Sequence, residues 1–101
     1  MGFSFSKTGL MRYISHLDLM RLFMRAARRA QLPIFVTEGF SPHVKLRMTR
    51  ALKLGVESEN EDAELVLIRK LSPFFFRWRL NRQLPLGVRV TRAFCVGNKE
   101  R

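Results

Sequence analysis

Residues 15–31 read SHLDLMRLFMRAARRAQ, and how this stretch folds decides how the rest of the chain is read. It contains neither Gly nor Pro and is rich in Leu, Met, Ala and Arg, which give up little side-chain freedom in a helix. Ser15 stands where an N-cap belongs, Asp18 follows at the capping-box position, and Pro33 comes just past the end. At 100° per residue, Arg21, Arg25, Arg28 and Arg29 gather within an arc of about 100°, while Met20, Phe23, Met24 and Ala27 take the opposite side. The spacing therefore predicts an amphipathic helix over 16–31, apolar on one side and striped with arginine on the other.

Upstream, Phe3-Ser4-Phe5-Ser6 alternates with period two and predicts a first strand; Lys7-Thr8-Gly9 breaks it, and Leu10 to Ile14 reads as further extended chain. Downstream, Ile34-Phe35-Val36-Thr37 is a short β-rich run, and residues 38–44, with Gly39, Ser41, Pro42 and His43, read as a loop. Residues 45–54 alternate, with Leu46, Met48 and Leu52 on one face and Lys45, Arg47, Thr49 and Lys53 on the other. Residues 55–62 read as an acidic turn and 63–69 as a central strand. Ser72-Pro73 supplies an N-cap with proline at the first helical position, opening a second helix to about Leu84. Its core stripe is Phe76, Leu80 and Leu84. Pro85-Leu86-Gly87 makes a turn, residues 88–96 a last strand, and 98–101 a polar tail. The order β-α-β-β-α-β predicts an α+β, ferredoxin-like sandwich, with two helices on one face of an antiparallel sheet, as a single domain over residues 1–97.

Composition narrows the function classes. The chain has 101 residues, 19 Lys or Arg against 8 Asp or Glu, a net charge of +11, and 47% hydrophobic residues, too many for a disordered basic tail. Arginine outnumbers lysine, 14 to 5, and the guanidinium fork binds phosphate bidentately and is desolvated more cheaply than ammonium. Most of the acids fall between Glu57 and Glu64, so the remainder of the chain is strongly cationic. A polyanion such as RNA is the first partner this implies. One cysteine, Cys95, allows no internal disulfide and no cysteine-cluster metal site. No stretch approaches the ~20 apolar residues of a membrane span, and residues 1–7 lack a secretory signal's apolar region. A cytoplasmic protein without membrane contact is expected.

Three motifs carry a family likeness: Arg12-Tyr13-Ile14-Ser15-His16-Leu17-Asp18-Leu19-Met20-Arg21, Thr37-Glu38-Gly39-Phe40-Ser41-Pro42-His43-Val44-Lys45 and Leu54-Gly55-Val56-Glu57-Ser58. In this order and spacing they resemble an uncharacterised bacterial family, the radical-SAM-associated domain, found beside or fused to radical S-adenosylmethionine proteins. The family pattern usually reads Asn-Pro-His-Pro-Lys where this chain has Ser41-Pro42-His43-Val44-Lys45. The resemblance implies an accessory role in RNA modification or ribosome biogenesis, with a radical-SAM protein as partner. The radical step itself needs three cluster cysteines, and this chain has one.

The candidate site residues follow from charge and motif. Arg21, Arg25, Arg28, Arg29, Lys45 and Arg47 are the expected RNA or phosphate contacts. Ser15, His16, Asp18, Glu38 and His43 form an expected pocket, if the loop closes over the helix N-terminus. The competing reading of these five is structural: helix-start hydrogen bonds and a loop anchor. Two histidines and a carboxylate lack a metal-ligand spacing, so neither a metal nor any other cofactor is expected. No catalytic pair is evident, although a metal-independent endoribonuclease is the enzymatic alternative and catalysis by this chain alone is disfavoured. Phe74, Phe75 and Trp78 exceed what one core face needs and mark an expected partner interface, which a second copy or a radical-SAM partner would cover. The leading expectation is an RNA-presenting module; a protein–protein adaptor without RNA contact is the rival.

Overall fold

The alternation of Phe3, Phe5 and Lys7 with Ser4 and Ser6 is realised in β1, Gly2–Lys7, whose odd positions all face the core. The computed structural model describes residues 1–37, 44–49 and 54–96. β1 is followed by a 3-10 helix, Gly9–Tyr13, then α1, His16–Arg29; β2, Leu46–Met48; β3, Ser58–Leu65; α2, Pro73–Asn81; and β4, Val88–Phe94. The strands form one four-stranded sheet in the order β2-β3-β1-β4, with every neighbouring pair antiparallel. With both helices packed on one face, the chain is the expected α+β, ferredoxin-like sandwich.

Register explains the layering. Phe3 lies opposite Ala63 and Ala93, Phe5 opposite Glu61 and Val90, and Leu46 opposite Leu65, so these side chains share the face that meets the helices. α1 covers it with Leu19, Phe23, Ala26 and Ala27, and α2 with Phe76 and Leu80, all buried. The rings interlock: Phe5 meets Phe23 edge-on at 4.9 Å, and Phe3 lies 5.4 Å from Phe23 and 5.6 Å from Phe76. Such pairs add roughly 0.5–1.5 kcal/mol each beyond area burial. β1 is thus the aromatic spine that holds both helices.

Three sequence expectations need correction. Residues 10–13 are not extended but sit in the 3-10 helix, entered through Gly9 at φ 61°, and only Ile14 beyond it has extended backbone. The acidic turn expected at 55–62 is largely strand: β3 begins at Ser58 and ends at Leu65, displacing the strand expected at 63–69 towards the N-terminus. Asp and Glu are poor strand formers, but β propensity measures fit to a half-buried surface. Here Ala63 and Leu65 supply the buried half and Asp62 is exposed on the other. Beyond Leu65, Leu67 makes only an isolated bridge to Ile34, and Val36 another to Val44, which is all the strand character the run 34–37 acquires. The third correction concerns α1: its buried stripe turns towards Leu19 and Ala26, leaving Met20 and Met24 half-buried at its edge. The strand expected at 45–54 is seen only as β2, residues 50–53 lying outside the described residues, as does the tail 97–101.

Gly87 is required where it stands. Its φ is 99°, its carbonyl accepts from Thr8 N–H at 2.8 Å, and a Cβ there would lie 2.7 Å from the Thr8 carbonyl oxygen. The turn before β4 is thereby pinned to the end of β1.

Candidate nucleic-acid interface

The first turn of α1 forms as its sequence dictates. The Ser15 hydroxyl accepts from the Asp18 N–H at 3.1 Å, satisfying one orphan donor. The Asp18 carboxylate does not reach back to complete a capping box; it lies 3.4 Å from Arg21 instead, an exposed pair that contributes little. His16 is half-buried at the first helical position, and its Nδ1 is buried without a hydrogen-bond partner. Glu38 and His43 lie outside the described residues, so the expected five-residue pocket is placed only through Ser15, His16 and Asp18. Lys45 lies beside Phe35. Its N–H donates to the Phe35 carbonyl at 3.2 Å and its ammonium stands 5.9 Å from the Phe35 ring centroid.

The arginines divide by layer. On α1, Arg25, Arg28 and Arg29 are exposed and meet no carboxylate among the described residues. Arg47 points from β2 to the opposite side of the sheet, where it pairs with Glu64 at 2.8 Å. That open face also carries Asp62, which accepts from the Ser4 hydroxyl at 2.8 Å. Asp62 and Glu64 of β3 therefore lie on the sheet's outer face, away from α1.

α2 brings a second set of arginines that sequence reasoning left unassigned. Its start is capped by the Ser72 hydroxyl, which accepts from Phe75 N–H at 3.3 Å, with Pro73 at the first position. Phe76 and Leu80 take the buried side, with Leu84 half-buried beyond them. Phe74, Phe75 and Trp78 stay exposed, at 70%, 38% and 48%; the sheet does not wrap round to cover them. Arg79 stands 5.2 Å from the Phe75 ring and donates to the Ala30 carbonyl at the end of α1. Arg82 stands 5.1 Å from the Trp78 ring.

The edge strand β4 is tied to the same helix. The Asn81 side chain donates to the Val90 carbonyl at 3.0 Å and accepts the Val90 N–H at 2.7 Å, while Arg77 donates to the Thr91 carbonyl at 3.2 Å. These bonds occupy backbone groups that an edge strand otherwise offers to another chain. Between α2 and β4 they frame an open groove of about 690 Å³, lined on one side by Phe74, Trp78 and Arg82 and on the other by Arg89. A second groove of about 310 Å³ runs between α1 and the end of α2, with Arg25 and Arg29 facing Arg82. Arg82 borders both. The signal was present in the sequence, since Phe74, Trp78 and Arg82 recur four residues apart. What was missing was the position of β4 beside them.

Two buried charges lie on the core side. Lys7 is almost wholly buried, and desolvation holds its ammonium below the usual lysine range, with the Glu61 carboxylate pulling the other way. Glu61 also accepts from the Ser58 hydroxyl. Among the described residues, no group of three His, Cys, Asp or Glu side chains comes together to hold a metal ion, and no helix is long and apolar enough to cross a membrane.

Set beside known proteins, residues 1–101 match the family described as an uncharacterized protein conserved in bacteria, DUF2344. No curated protein and no solved structure matches the chain. The chain belongs to this bacterial family.

Proposed function

We propose, with membership in that bacterial family as the premise, that the chain is a cytoplasmic accessory module that holds structured RNA, tRNA or rRNA, for a separate radical-SAM-type modification enzyme. The observation that carries the RNA reading is the display of Arg25, Arg28 and Arg29 on α1 with no opposing carboxylate among the described residues. Three unopposed guanidinium groups on one helix, in a chain of net charge +11, match the repeating charge of a sugar-phosphate backbone. The radical-SAM partner rests on the motif likeness around Ser15-His16, His43-Val44-Lys45 and Gly55-Val56-Glu57.

Binding through phosphates releases counterions, so RNA affinity falls by decades between ~50 and ~200 mM salt, and replacing Arg25 and Arg28 by Glu abolishes it. RNA binding that survives the double reversal unchanged removes α1 as the contact. The partner is tested by supplying a radical-SAM enzyme encoded beside or fused to a family member: its RNA product forms faster with this chain present. The rival reading, a protein adaptor, is favoured by the exposed rings of Phe74, Phe75 and Trp78. It requires that the chain bind its partner while showing no salt-dependent affinity for RNA.

A further inference from the structure

An arginine-striped helix is enough to hold a duplex by its phosphates, but the groove between α2 and β4 contains something a duplex has no use for. The flat rings of Phe74 and Trp78 are open to solvent along its wall, beside Arg77 and Arg82, with Arg89 of β4 at the far rim. In a duplex the base faces are stacked on one another and closed to side chains, whereas an unpaired strand presents both faces and phosphates together. We propose that this groove binds a short unpaired nucleotide stretch, its bases stacking on Trp78 and Phe74 and its phosphates meeting Arg77 and Arg82. The proposal rests on the RNA reading above and adds the form of nucleic acid that the second surface takes.

Charge complementarity selects this occupant. No acidic side chain lines the groove among the described residues, and the Asn81 amide bonds Val90 through both its nitrogen and its oxygen, so guanidinium groups and rings dominate its recognition chemistry. Arg77 spends one N–H on the Thr91 carbonyl and has others for a phosphate. Arg82 covers part of the Trp78 ring, yet the indole remains about half exposed, so a base has ring surface to stack on. At about 690 Å³ the groove is within the roughly 300–1,000 Å³ of ligand-binding clefts. Because Arg82 also borders the groove facing Arg25 and Arg29, a strand leaving Trp78 runs directly onto the α1 stripe. A stem on α1 with its unpaired flank in the α2–β4 groove is the arrangement this continuity implies.

Trp78 is the only tryptophan in the chain, so its fluorescence reports the groove directly. The full chain is titrated with a short oligouridylate, with an RNA hairpin of equal phosphate count lacking single-stranded ends, and with inorganic polyphosphate, which has charge but no bases. The oligouridylate quenches Trp78 emission and polyphosphate does not. Trp78→Ala, and separately Phe74→Ala, each weakens oligouridylate binding by about 5- to 150-fold and leaves hairpin affinity within about twofold. Both residues are exposed, so neither variant removes core packing; Phe74→Ala also keeps the reporter. Oligouridylate that binds without quenching, quenching of equal size by polyphosphate, or equal loss of hairpin and oligouridylate in the variants overturns the proposal while the α1 reading stands. If neither RNA binds, both readings fall. If the variants change only the oligomeric state, the rings are a protein interface and the groove assignment is overturned.

Discussion

The two outer surfaces of this sandwich carry similar residues to opposite effect. On the helical layer, Arg25, Arg28 and Arg29 face solvent and pair with no carboxylate among the described residues, and α2 with its C-cap adds Arg77, Arg79 and Arg82 without an acid. On the open face of the sheet, Arg47 is held by Glu64 and Asp62 lies beside Ser4. Arg92 stands 5.0 Å from the Phe94 ring, which itself covers Gly2. The difference comes from where β3 sits. As a central strand it carries the acidic run through the middle of the sheet, with Asp62 and Glu64 on the outer face, so the negative charge is delivered to one side of the molecule. The charge is thereby distributed unevenly, and the helical side is the more cationic of the two.

Charge reversal breaks the comparison most sharply. Arg25→Glu with Arg28→Glu lowers RNA affinity by about 100-fold or more at ~150 mM salt, whereas Arg47→Glu changes it by no more than about threefold; electrophoretic or fluorescence titration reads both. Equal losses from the two faces mean that the sheet binds too. In the neutral form, Arg25→Ala with Arg28→Ala flattens the slope of log affinity against log salt by about 2. Next in size is Asn81→Ala, which frees the Val90 N–H and carbonyl on the edge of β4. It costs about 1–2 kcal/mol in denaturant unfolding and raises concentration-dependent association, because the exposed edge is then open to pairing. Stability and monodispersity both unchanged would falsify the edge-blocking role. The smallest effect is the Arg47–Glu64 pair. A double-mutant cycle with Arg47→Ala and Glu64→Ala gives a coupling of about 0.2–1 kcal/mol that shrinks with added salt, since the Arg47 side chain is 81% exposed. A larger, salt-resistant coupling would mark that face as structurally organised rather than merely neutralised.

Helices were the legible part of the fold. Ser15 and Ser72 each cap the helix they precede, because a capping hydroxyl acts on an N–H only a few residues away. Strand boundaries were less legible. Residues 58–62 carry a turn's composition, and only pairing with β1 on one side makes them strand. For the same reason residues 10–13 closed into a 3-10 helix: their hydrophobicity suits an extended chain, but no strand among the described residues pairs with them. The site divided in the same manner. The arginine stripe of α1 was visible from helical periodicity, and so was the surplus of aromatic rings on α2. The groove joining Trp78 to Arg89 was not, because its two walls come from segments whose relation is set by the sheet.

By itself the sequence determined the amphipathic α1, the capped α2, the alternation of β1 and the excess of arginine, all of which depend on neighbours a few residues apart. Tertiary structure alone decided that the acidic run is a central strand, that its charge is spent on the open face, and that β4 closes a groove against Phe74 and Trp78. Those outcomes depend on which strands pair and which sides they turn outward, and pairing between distant segments is a property of the packed sheet rather than of any local stretch.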